Sequence, residues 1–113
     1  MIYRKYHNTK VFVNGIKFDS KLEAGRYREL LLLEQAGQIR NLRRQVEFEL
    51  QPSFKKNGKT IRKISYIADF VYEESGQTIV EDAKGFADIQ SYRIKKKLFE
   101  YKYPNLTIKE VRK

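Results

Sequence analysis

The chain has no cysteine and a single histidine, His7. Without cysteine there is no structural disulfide and no thiolate zinc site. One histidine excludes a multi-histidine metal centre, and a lone one near the N-terminus reads as an ordinary surface residue. Long apolar runs are missing too. The longest aliphatic stretch, Leu30 to Leu33, falls far short of the roughly 20 residues that a membrane-spanning helix needs. Met1 to Lys10 holds no apolar segment of signal-peptide type. No serine-based triad and no glycine-rich phosphate loop is visible. These absences are those expected of a cytoplasmic protein without a membrane partner.

Positive charge is in excess. Lys and Arg number 24 against 14 Asp and Glu, a net +10 over 113 residues. Such a balance favours a polyanionic partner. Eight Tyr and seven Phe make the chain too aromatic for a disordered basic tail. The length suits one compact domain, residues 1–113, marginal in stability unless well packed or oligomeric.

Lys10 to Phe18 reads as a hairpin around Asn14-Gly15, because Asn-Gly supplies the positive φ angles of a tight turn. Ser20-Lys21-Leu22-Glu23 has capping-box spacing, so a helix is expected from Ser20 to about Ala36, stopped by Gly37. Arg40 to Arg44 reads as a basic connector. Val46 to Leu50 alternates apolar and polar, as a half-exposed strand does. Pro52 to Lys59 reads as a loop, Ile61 to Tyr72 as one strand, and Glu73 to Gln77 as a turn centred on Ser75-Gly76. Thr78 to Ala83 is a further strand. Gly85 breaks it, and Asp88 can cap a second helix running to about Tyr103. Pro104-Asn105 ends that helix before a last strand, Leu106 to Val111. The order is hairpin, helix, three strands, helix, strand: an α+β domain with a mixed sheet.

The chemistry concentrates on two strands. In Thr78 to Lys84 side chains alternate faces, so Val80, Asp82 and Lys84 share one face while Glu81 points away. Ser65 to Val71 holds Asp69 inside an apolar run, where a charge is costly unless paired or metal-bound. Counted from Gly76, strict hairpin pairing sets Asp69 and Asp82 two residues out of register. A bulge or strand twist is then needed to bring them together. Glu23 supplies a third acid. At about 100° per residue it projects between Tyr27 and Leu30 on the apolar face, although it can equally close the capping box with Ser20. Arg26 and Glu34 interrupt the same stripe. Three carboxylates and a lysine suit phosphodiester hydrolysis around a hard cation such as Mg²⁺, which prefers oxygen ligands.

These residues resemble the PD-(D/E)XK nuclease superfamily: an acid on the first helix (Glu23), an Asp on the second core strand (Asp69) and Glu-Asp-Ala-Lys-Gly on the third (Glu81 to Gly85). The element order matches that superfamily's restriction-endonuclease-like core. More narrowly, NGIKFDSKLEAGRYREL and VEDAKG are similar to segments of small phage-type proteins of unknown function thought to be such nucleases. The superfamily's proline is absent, since Ala68 precedes Asp69, but the carboxylate carries the role.

The resemblance implies that Glu23, Asp69 and Asp82 bind Mg²⁺ (Mn²⁺ substituting), with the Ala83 carbonyl as an added ligand and Lys84 as the catalytic lysine. It implies an endonuclease acting on DNA, with branched DNA such as a Holliday junction favoured and a homodimer required for symmetric cutting. If phage-encoded, it would work in the bacterial host's cytoplasm. Candidate DNA contacts are Arg43, Arg44, Ser91, Arg93, Lys95 and Lys96, with Ser91 and Lys95 facing the scissile phosphate. The alternating Val11, Val13, Ile16 and Phe18 offer either a dimer surface or packing on the chain's own core. A nicking or restriction-like nuclease, a non-catalytic basic nucleic-acid-binding module and an RNA-directed protein remain open.

Overall fold

The computed structural model describes residues 10–84 and 90–112, without the side chain of Lys84. It is a mixed α+β domain. Strands β1 (Val11–Val13) and β2 (Ile16–Phe18) form the first hairpin, with Asn14 and Gly15 at φ 51° and 80°. Val13 and Phe18 are buried in the chain's own core, and Val11 and Ile16 pack against it. The apolar excess of the hairpin is thus absorbed internally.

Helix α1 (Lys21–Gln35) starts where Ser20 takes an extended φ and its hydroxyl accepts from the Glu23 N–H at 3.1 Å. Gly37, at φ 78°, ends it. The two polar residues on its apolar stripe both have partners. The Glu34 carboxylate accepts the Leu42 N–H at 3.1 Å. Arg26 forks onto Glu81 at 2.9 and 2.7 Å.

The main sheet has the order β3-β6-β7-β8: β3 (Arg40–Gln51), β6 (Ile64–Glu74), β7 (Gln77–Lys84) and β8 (Ile108–Arg112). β3, β6 and β7 are antiparallel, and β7 and β8 are parallel. Helix α2 (Gln90–Lys102) joins these last two. One core packs α1 and the first hairpin on one side of the sheet, around Leu30, Phe70 and Tyr72. The other packs α2 around Tyr66, Val71, Val80 and Phe99.

Several expectations need correcting. Arg40 to Arg44 is not a connector but the first part of β3, paired with β6 through an irregular register near Arg40 and Arg43. The predicted Pro52–Lys59 loop holds strands β4 (Phe54–Lys56) and β5 (Lys59–Ile61), a separate hairpin turning on Asn57-Gly58 at φ 51° and 76°. Ile61 therefore belongs to β5, and β6 starts only at Ile64. Strand β8 begins at Ile108 rather than Leu106. Helical spacing sets Ile94, Leu98 and Phe99 in one arc of α2 with Ser91 and Lys95, yet the buried side chains are Tyr92 and Phe99, while Ile94 and Leu98 are exposed. Gly85 and Asp88, the expected break and cap, lie outside the described residues.

The register between the two acid-bearing strands also differs from expectation. β6 and β7 join through a two-residue turn, with Glu74 paired to Gln77 and Ser75 and Gly76 at φ 52° and 78°. Asp69 stands seven residues before Gly76 and Asp82 six after it, an offset of one rather than two, and the turn centre falls between Ser75 and Gly76 rather than on Gly76. The pairs Tyr72↔Ile79, Val71↔Val80 and Phe70↔Glu81 follow. Carried one step further, that register sets Asp69 opposite Asp82 with no bulge in this hairpin.

Candidate active site

Asp69 occupies a break in the sheet. The ladder between β3 and β6 holds at Arg44↔Phe70 and at Val46↔Ala68 but is interrupted between them, at Gln45 and Asp69. Gln45 has φ 52°, rare for a residue with a side chain. The two strands exchange faces at this step. Tyr66 and Ala68 belong to the α2 core, whereas Phe70 and Tyr72, of the same parity, belong to the α1 core. Regular alternation would keep all four on one side. The exchange opens the ladder and frees the Asp69 carboxylate to reach both ways. Its Oδ2 accepts the Ala83 N–H at 2.8 Å, and its Oδ1 accepts from Gln45 Nε2 at 3.4 Å.

Asp82 lies on the α2 side of β7, following Val80. It is buried, and its Oδ2 accepts the Tyr66 hydroxyl at 2.8 Å. The Asp69 and Asp82 carboxyl groups line the same cleft. Burial, and then the neighbouring Asp82 carboxyl, hold the Asp69 proton well above the usual carboxylate range. Burial and the Asp82 charge keep the Tyr66 phenol protonated. Glu23 comes from α1. Its Oε2 accepts from the same Gln45 amide at 3.3 Å, so one side chain bridges Glu23 and Asp69. Desolvation raises Glu23, Arg44 opposes that rise, and the Asp82 charge adds to it. Glu23 therefore does more than cap: its N–H closes one arm of the box with Ser20, while its carboxylate turns to Gln45.

Glu81 faces the other way. It is fully buried on the α1 side against Arg26 and the Tyr72 hydroxyl. The backbone of Lys84 continues β7, and its side chain lies outside the described residues. The Ala83 carbonyl leaves β7 on the same edge as its N–H, the edge that meets Asp69.

A cleft of about 340 Å³ opens above the acid pair, lined by Ser65, Tyr66, Asp69, Asp82, Ser91 and Lys95 among others. Ser91 and Lys95 thus stand across the cleft from the acids. The remaining candidate contacts separate from it. Arg93 and Lys96 line a different concavity, where Lys96 pairs with Glu110 at 3.3 Å. Arg44 lays its guanidinium over the Phe18 ring at 4.6 Å, and its buried Nε finds no hydrogen-bond partner among the described residues. Arg43 is exposed. Sequence reasoning missed Gln45 and Tyr66. Tyr66 had a usable signal, an aromatic hydroxyl three residues before Asp69 in the same apolar run. Gln45 had none, because its role depends on a left-handed backbone that no Gly or Asn announces.

The donor set is all oxygen: two carboxylates on one cleft, a third bridged to Asp69 by Gln45 and an adjacent carbonyl. A hard dication bound there would replace the proton that Asp69 holds, and Mg²⁺ commonly takes only one or two carboxylates. Among the described residues, no three acidic, histidine or cysteine side chains are already gathered around one point. The fit is therefore to a cation held by the pair Asp69 and Asp82, with Glu23 one amide away.

No curated protein and no solved structure matches the chain. A family model does, over residues 3–113 and so nearly the full length, and the chain belongs to the family it describes as "Protein of unknown function (DUF1064)".

Proposed function

We propose that this protein is a divalent-cation-dependent endonuclease that hydrolyses DNA phosphodiester bonds, of the PD-(D/E)XK type, with branched DNA as its preferred substrate. The observation that carries the proposal is the placing of Asp69 and Asp82, from adjacent strands β6 and β7, on one cleft with Lys95 on its far wall. A bound Mg²⁺ or Mn²⁺ would polarise the phosphorus centre and acidify a water.

The chain's own groups supply the rest. Asp69 and Asp82 hold the cation. The Ala83 N–H fixes one Asp69 oxygen, and the Tyr66 hydroxyl fixes one of Asp82. Gln45 keeps Glu23 within reach of the pair, directly or through water. Lys84, two residues beyond Asp82, stabilises charge that develops on the phosphate. Lys95 and Ser91 meet the same phosphate from α2. The net charge of +10 draws the polyanion in. Cutting both strands of a junction symmetrically calls for two copies.

The test is incubation with labelled junction, flap, linear duplex and single-stranded DNA, with and without Mg²⁺. The expected result is cation-dependent cleavage, fastest on the junction. Equal cutting of linear duplex would keep the nuclease and remove the junction preference. Binding without cleavage of any substrate would leave a basic nucleic-acid-binding module.

A further inference from the structure

Strands β4 and β5 form a sheet of their own, separate from the main one, and all six of their residues are exposed. The segment from Pro52 to Lys63 holds five cations, Lys55, Lys56, Lys59, Arg62 and Lys63, and no acid. Only Lys63 has an ion pair among the described residues, to Glu47 at 3.0 Å. The pairing is Phe54↔Ile61, Lys55↔Thr60 and Lys56↔Lys59. Phe54, Ile61, Lys56 and Lys59 therefore share one face of the ribbon. Like charges directly opposite each other weaken a strand pair, and an isolated two-stranded hairpin is marginal to begin with. Nothing among the described residues explains two facing lysines at the tip above two exposed apolar side chains. A polyanion seated on that face relieves the repulsion.

We propose that this ribbon is a DNA-contacting arm that enters a groove of the duplex beside the cleaved position. The arm's assignment to DNA rests on the nuclease proposal above. Its reach fits. Ten residues separate Asp69 from Lys59 at the ribbon's tip, at roughly 3.4 Å each. The tip thus lies at most about 34 Å from the acid pair, about one turn of a duplex. Two strands about 5 Å apart fit a major groove about 12 Å wide. Lys56 and Lys59 meet phosphates on the groove walls, while Phe54 and Ile61 lie against the less polar sugar and base edges.

The test is fluorescence anisotropy of duplex DNA binding without Mg²⁺, over a series of salt concentrations, for wild type, Lys59→Glu and the control Lys17→Glu on the first hairpin. Lys59→Glu turns a repelling cross-strand pair into an attracting one. It is expected to leave the thermal midpoint unchanged or raised, to weaken DNA binding about tenfold or more, and to flatten the log–log salt slope by about 1 to 2. The control is expected to move far less. Unchanged affinity and slope in Lys59→Glu, or an equal loss in Lys17→Glu, overturns the arm. So does a larger loss on duplex RNA than on duplex DNA. A wild type that binds but cuts nothing, with Lys59→Glu still impaired, supports the arm and removes the nuclease reading, so the two can fail separately.

Discussion

Asp69 lies in the run from Tyr66 to Tyr72, with buried neighbours on both sides. An isolated charge there is costly. The structure meets that cost with the Ala83 N–H, the Gln45 amide and a proton that burial and the neighbouring Asp82 carboxyl hold on Asp69. The folded-state pKa of Asp69 is raised, so the metal-free fold favours the protonated form. That contribution is fully present below the unfolded carboxylate pKa and fades as pH rises towards the folded one. Asp69→Asn removes the penalty. At neutral pH it should raise the melting temperature of the metal-free protein and abolish any further rise on adding Mg²⁺. Wild type should gain more from Mg²⁺ as pH rises, because the cation must displace that proton. Melting curves across pH, with and without Mg²⁺, check both statements. A loss of stability in metal-free Asp69→Asn would contradict them. Glu81 is the contrast. Glu81→Gln leaves Arg26 half-buried beside a neutral partner, which should lower stability by about 3 kcal/mol by denaturant unfolding. Its cleavage at a temperature where it stays folded should remain near wild type. A cleavage loss as deep as its loss of stability would place Glu81 in the chemistry.

At the scale of elements, the position of the acids depends on turns. The sequence signs of α1 were legible because Ser20 and Gly37 act locally, at the helix ends. The hairpin at Asn14-Gly15 was legible for the same reason. The same dipeptide at Asn57-Gly58 was legible in principle but overlooked, because Pro52 and the surrounding lysines resemble a polar loop. The irregular half of β3 could not be read. Asn41 and Gln45 take φ 58° and 52° within a strand, at interruptions of the ladder where their side chains bond Glu73, Glu23 and Asp69. The opposition of Asp69 and Asp82 follows from simple counting once the turn is centred between Ser75 and Gly76. Gly76→Val forces a β-branched residue into φ 78°. It should lower stability by about 1–2 kcal/mol in denaturant melts, while the cleavage rate per folded molecule holds. A variant that stays stable but stops cutting would show that this turn does more than set register.

For the molecule as a whole, charge and assembly matter most. Among the described residues, no helix is long and apolar enough to cross a membrane. The first hairpin no longer argues for a dimer, because Val13 and Phe18 are buried within the chain. Pairing of two copies therefore rests on the substrate's symmetry, and sedimentation with and without junction DNA checks it. The expected outcome is a dimer on the junction. DNA binding should fall steeply with salt, with a log–log slope of about −5 if six phosphates are contacted. That the two acids and the side of α2 carrying Ser91 and Lys95 face one another was legible from residue types and faces, whereas the register of the acids and the exposure of Ile94 required the strands and α2 to be seen packed.

The central claim is that Asp69 and Asp82 together form the cation site at which phosphodiester bonds are cut. It is tested most directly by the rate of junction cleavage in Mg²⁺ by wild type and Asp82→Asn at equal protein and equal bound DNA. Asp82→Asn should bind the junction as well as wild type or better, since one negative charge near the phosphates is gone. Its cleavage should fall by at least about a thousandfold, or roughly 4 kcal/mol of transition-state stabilisation. Cleavage by Asp82→Asn at the wild-type rate would contradict the account.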